Sequence, residues 1–191
     1  MVMRYFILLV LTATVFADGD PVQSLTEEEL QNYQFSHAPE ISIATVKELN
    51  VGQQFTLDRK RRELKNLLYR HLGIRKLAGN RDDLKIIQQV IDKKILARDE
   101  VLEWQSLGVV FGDILVEEFG LSWVSYEDKL GVSKALRWRS TENYVFPVTM
   151  FSKRNRFKEQ LDVNAIYDKL HGEINAFKLL PAPVAATRST R

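Results

Sequence analysis

Four stretches of the chain carry a helical period. From Asp58 to Leu72 the apolar residues Leu64, Leu67, Leu68 and Leu72 recur on one face, and Gly73 is placed to end the helix in a left-handed conformation. From Asp83 to Ala97 the same spacing runs through Leu84, Ile87, Val90, Ile91 and Ile95. Asp82 and Asp83 at its start and Lys93 and Lys94 near its end suit the helix dipole. A third helix is predicted from after Asp99 to Phe119, closed by Gly120. Its apolar residues occupy most of the circumference, which marks it as the central buried helix. A final helix starts after Asp162 and places Ile166, Leu170, Ile174 and Phe177 on one side.

Between the third and final helices the period drops to two, and aromatic and β-branched residues dominate. Three strands are predicted: LSWVSYED (121–128), KALRWRST (134–141) and YVFPVTMFS (144–152), joined by turns at Lys129 to Ser133 and at Glu142-Asn143. Pro147 has no N–H for a ladder, which assigns the last strand to an edge or a bulge. The expected class is α+β, with helices packed on a small antiparallel three-stranded meander and a C-terminal helix.

The N-terminal pattern is different. Arg4 precedes twelve residues, Tyr5 to Phe16, that are apolar apart from two threonines, and Val15-Phe16-Ala17 supplies small residues at cleavage positions. This is the pattern of a secretory signal peptide over residues 1–17; the run is short of the roughly 20 residues of a membrane-spanning helix. Residues 18–56 read as an irregular lead-in with one short helix start, SLTEEEL, where Thr26 and Glu29 have capping-box spacing. His37-Ala38-Pro39 stops that helix and Val51-Gly52 reads as a loop. Residues 57–178 form the single α+β domain, and 179–191 carry no pattern that would bury anything, so disorder is expected there.

Composition adds two constraints. The formal charge is +2, and losing Arg4 with the signal peptide lowers it by one, so no global basic field exists. The chain has no cysteine, which excludes disulfides, a thiol nucleophile and a lipidated N-terminal cysteine. Export without cysteine points to a bacterial periplasmic or secreted protein.

Within the third helix, LGVVFGDIL (107–115) contains Gly108 and Gly112, four residues apart on one side. A helical glycine costs about 1 kcal/mol relative to alanine. The pair therefore forms a shallow groove for close approach of another backbone, or, in a sharper reading, for a ligand with Asp113 at its rim. At this point the chain resembles a family of exported bacterial proteins whose shared domain has no assigned function. The resemblance rests on WQSLGVVFGDIL (104–115), WVSYED (123–128), ALRWR (135–139) and FPVTMFSKR (146–154), and covers roughly residues 83 to 156. Family members often carry Asp-Pro before the ALR strand, where this chain has Ser133-Lys134. The resemblance implies a shared fold and no chemistry.

The candidate site residues follow from the strands. Glu127 and Asp128 are adjacent and so point to opposite faces, which makes them a poor carboxylate pair; either one with Asp113 is the alternative. Arg137 and Arg139 share the outward face of the second strand and would suit an anionic ligand if no carboxylate engages them. Two basic runs, RKRR (59–62) and KRNRFK (153–158), are candidates for anionic lipid headgroups, lipopolysaccharide or an acidic partner, against the plainer reading of a solvated face. His37, His71 and His171 are scattered, and no metal, nucleotide or nucleophile-elbow motif is present. No cofactor or metal is expected, and export argues against nucleic acid. The sequence thus supports an exported, non-catalytic binding or interaction domain whose partner is an envelope protein or an anionic envelope component. A small hydrolase or lyase acting on a cell-envelope substrate, with Asp113 and Glu127 or Asp128 as acid and base, is the alternative.

Overall fold

The largely apolar helix from 101 to 119 is the axis of the structure. The computed structural model describes residues 44–179; the stretches expected to be a signal peptide (1–17) and the SLTEEEL helix lie outside them, as does the tail expected from 179 on, except Leu179, which ends the last helix. In chain order the elements are β1 (Thr45–Glu48), α1 (Val51–Leu72), a 3-10 turn (Arg81–Asp83), α2 (Leu84–Asp92), α3 (Val101–Phe119), β2 (Ser122–Asp128), β3 (Gly131–Arg137), β4 (Tyr144–Val145), α4 (Met150–Arg156) and α5 (Val163–Leu179). The class is α+β, as the periodicity predicts.

α3 matches its predicted bounds because two signals agree. Leu107, Val109, Phe111, Ile114 and Leu115 are all fully buried, and Gly120 takes φ 65° and returns its N–H to the Val116 carbonyl. α1 lies along α3 through Leu64, Leu67 and Leu68. It begins at Val51, not near Asp58, because Asn50 and Gln53 form a reciprocal capping box: Gln53 N–H donates to Asn50 Oδ1 at 2.8 Å and Asn50 N–H to Gln53 Oε1 at 3.0 Å. Val51-Gly52, read as a loop, is its first turn. α2 ends at Asp92, five residues before Ala97, where Lys94 turns the chain at φ 50°. α5 begins after Asp162, whose carboxylate accepts the Ala165 N–H.

The sheet has four antiparallel strands in the order β1-β2-β3-β4 among the described residues, one more than predicted. The extra strand, β1, pairs Val46 with Tyr126 from a stretch read as irregular; four residues are too short to display a period. The β2–β3 turn is tighter than expected. Asp128 Oδ1 accepts the Leu130 N–H and Gly131 sits at φ 114°, so β3 starts at Gly131 and ends at Arg137. The third predicted strand pairs only at Tyr144–Val145. Pro147 cannot extend the ladder; its carbonyl instead accepts the Met150 N–H, and the chain enters α4. Trp123, Leu136 and Val145 lie in register on one sheet face and join the core around α3. No helix among the described residues is long and apolar enough to cross a membrane.

Candidate functional site

The glycine groove is filled by the protein itself. A Cβ on Gly108 would collide with the carbonyl oxygen of Pro147 and stand 2.6 Å from that of Val148. One on Gly112 would stand 2.6 Å from the Trp123 indole and 2.8 Å from Pro147 Cγ. Gly108 and Gly112 therefore admit the 147–148 segment and the sheet, and the groove they form has no room for a ligand.

Asp113, next to Gly112, is held at both oxygens. Arg61 donates Nε to Oδ2 and Nη2 to Oδ1, each at 2.7 Å, and Trp123 Nε1 donates to Oδ1 at 3.0 Å. Asp58 takes the remaining arm of Arg61. The hydrogen bond to Asp113 raises the guanidinium's pKa further above its ordinary range, so the pair is a fixed ionic clamp. Asp113 shares an open depression of about 320 Å³ with Asp83. The Asp83 carboxylate accepts N–H bonds from Ala78 and Gly79 at 3.0 and 2.6 Å, which leaves neither carboxylate placed to move a proton. Glu127 lies four residues along β2 from Trp123, roughly 13 Å at the rise of a strand, and is exposed. Asp128 caps the hairpin turn. The structure does not bring these carboxylates together as an acid and a base.

The two arginines also separate. β3 ends at Arg137 and Arg139 falls in the following turn at φ 50°, so they do not share a strand face. Arg137 donates to the Thr141 carbonyl at 2.7 Å, bonds Glu142 at 3.2 Å and stacks over Tyr144. Arg139 covers one region of the Trp138 ring, centroid distance 4.6 Å, and Lys178 lies 4.4 Å from the same centroid. Arg137 is thus held by its own turn, and the expected outward pair does not exist.

The basic runs have opposite fates. RKRR occupies one turn of α1, where successive side chains diverge by about 100°. Arg59 pairs with Glu63, Lys60 is buried against the Leu102 carbonyl, Arg61 clamps Asp113 and Arg62 covers Phe55. KRNRFK instead runs from the second half of α4 past its end at Arg156, with its outer cations exposed. Lys153, Arg156 and Lys158 are exposed, and with Arg98 from the loop before α3 they rim a groove of about 600 Å³. Val101 and Trp104 form its apolar wall, and Asp99 is the one carboxylate in the lining. None of the four cations has a carboxylate partner among the described residues, whereas Arg154, turned away, pairs with Glu159 at 3.7 Å.

Local structure fixes this face. Phe151, fully buried, meets Phe111 edge-on at a centroid distance of 5.2 Å and anchors α4 to α3. Asn155 Nδ2 donates to the Arg98 carbonyl at 3.0 Å, which ties the two rims together. Sequence reasoning singled out the run but missed Arg98, which lies 55 residues from Lys153 in the chain and carries no local signal. Among the described residues no group of histidine or carboxylate side chains could hold a metal ion.

Comparison with known proteins agrees with the fold and adds no chemistry. A crystal structure of a protein from Bacteroides thetaiotaomicron VPI-5482 superposes with a TM-score of 0.62 at 18% identity, over 68% of this chain and 48% of that one. The chain therefore spans about half the length of that relative, and the likeness is one of fold. No curated protein matches the chain significantly. Residues 83–167, from the end of the 3-10 turn into the second turn of α5, match the family model described as a domain of unknown function, DUF3806.

Proposed function

We propose that the protein is an exported, non-catalytic binding domain of the bacterial envelope that recognises an anionic envelope component through the α4 face. One observation carries the reading: four cations from two chain segments converge on one groove with a single carboxylate among them. Opposite charge on a ligand would relieve their mutual repulsion and is favoured at such a concentration of field. A hydrolase or lyase has less support, because Asp113 is engaged by Arg61 and Trp123 and is far from Glu127. The leader-like pattern of residues 1–17 supports the envelope location.

Titration of the protein with dextran sulfate, a soluble polyanion, at increasing salt tests the reading. The expected result is saturable binding that weakens with salt and falls at least tenfold in Lys153→Glu/Arg156→Glu, whose circular dichroism matches the native protein. Equal binding by the folded variant, or none by the native protein, overturns it.

A further inference from the structure

We infer that the anionic component is a lipid surface, on which the domain lies peripherally with the α4 face down; this rests on the reading of that face as the binding face. The cations alone would suit any polyanion, but they do not stand alone. Phe157, next in the chain to the rim cations Arg156 and Lys158, is 71% exposed, and Val101, in the lining of the groove, is 48% exposed. A soluble anion would neutralise the cations and leave the phenyl ring in water. An interface of headgroups over acyl chains accommodates both, with the long lysine and arginine stems covering apolar surface while their charged ends meet headgroups.

The face is also built in advance of binding. Phe157 N–H bonds the Lys153 carbonyl and Lys158 N–H the Asn155 carbonyl, while Lys158 takes a left-handed φ of 59°. These bonds set the aromatic ring at the tip of the helix instead of on a free tail. Each cation at an anionic leaflet contributes about a fivefold gain in partition at moderate salt, and a ring entering the interface about tenfold. Together they are enough for reversible docking that requires anionic lipid.

Co-sedimentation of the chain from residue 18 onward, without the apolar leader, with vesicles tests this, comparing phosphatidylcholine alone with phosphatidylcholine mixed with phosphatidylglycerol. The native protein is expected on the mixed vesicles and not on the neutral ones. Phe157→Ser should lower vesicle binding about tenfold while leaving dextran sulfate affinity unchanged, and Lys153→Glu/Arg156→Glu should lose both. Phe157→Trp should keep binding and show blue-shifted emission on the mixed vesicles, which places the ring in the interface. Dextran sulfate binding without vesicle binding sinks the lipid inference and leaves the anion-binding reading intact; loss of both sinks both. Vesicle binding by Phe157→Ser equal to native also overturns the inference.

Discussion

Arg61 and Asp113 meet across the α1–α3 contact through two parallel hydrogen bonds of 2.7 Å, and Trp123 adds a third from β2. One carboxylate thus joins two helices and the sheet. The side chains retain 35% and 29% of their exposure, which discounts the Coulombic part and leaves the fork geometry as the main gain. Asp113→Asn is expected to cost about 1–2 kcal/mol in urea denaturation, and Arg61→Lys a similar amount because lysine cannot reproduce the fork. The double variant should fall well short of the sum. Additive losses would show that the two residues act separately.

The two glycines should respond unequally. Gly108→Ala meets backbone carbonyls that cannot step aside, whereas Gly112→Ala meets the Trp123 ring and the Pro147 ring edge. Overpacking of about 1–3 kcal/mol is expected at 112, partly offset by about 1 kcal/mol of helix propensity, with a larger loss at 108. Thermal melts of the two variants check the order, and a Gly108→Ala protein as stable as native would contradict the close approach.

Lys60 makes stability depend on alkaline pH. Burial lowers its ammonium pKa below the ordinary 10.5, with Glu63 partly opposing. The unfolded chain therefore holds a proton that the native protein releases earlier, and stability rises as pH climbs toward 10.5. Its single bond to the Leu102 carbonyl is modest compensation for burying a charge. Lys60→Met should be at least as stable at neutral pH and should lose this rise, as read by urea midpoints across the range.

Two tyrosines act with the opposite sign. Tyr144 is pushed up to about 12 by burial and by its bond to Glu142, and Tyr167 to about 12 by burial and the charge of Glu118. The unfolded phenols ionise near 10, so this contribution is complete below that pH and is lost as pH rises through about 12. Phenolate absorbance should show a late-titrating component that shrinks in Tyr144→Phe and again in Tyr167→Phe. Unchanged curves in both would rule out the assignment.

How much of this was legible in the sequence depends on the scale of each signal. α3 was legible from end to end because apolar residues cover most of its circumference and the stretch ends at a glycine that supplies the left-handed cap. The start of α1 is also written in the chain, as the capping pair Asn50 and Gln53, a signal that the expectation of a loop at Val51-Gly52 passes over. β1 had no period to show, and β4 became two residues because pairing competed with Pro147 and lost. The arginines were misplaced because strand alternation was carried past Arg137, where the backbone turns. For the α4 face, the sequence displayed three of the four rim cations, and tertiary folding supplied Arg98.

The contact at Gly108 ties this face to the core. The carbonyls of Pro147 and Val148 rest directly on the helix backbone, and α4 starts two residues later, so the notch works as a locating pin for the outward cations. A methyl group added there would act like a shim under a bracket. It would tilt a surface more than forty residues further along the chain, and, if the proposed role of the α4 face holds, a substitution deep in the interior would present itself as a loss of anion binding.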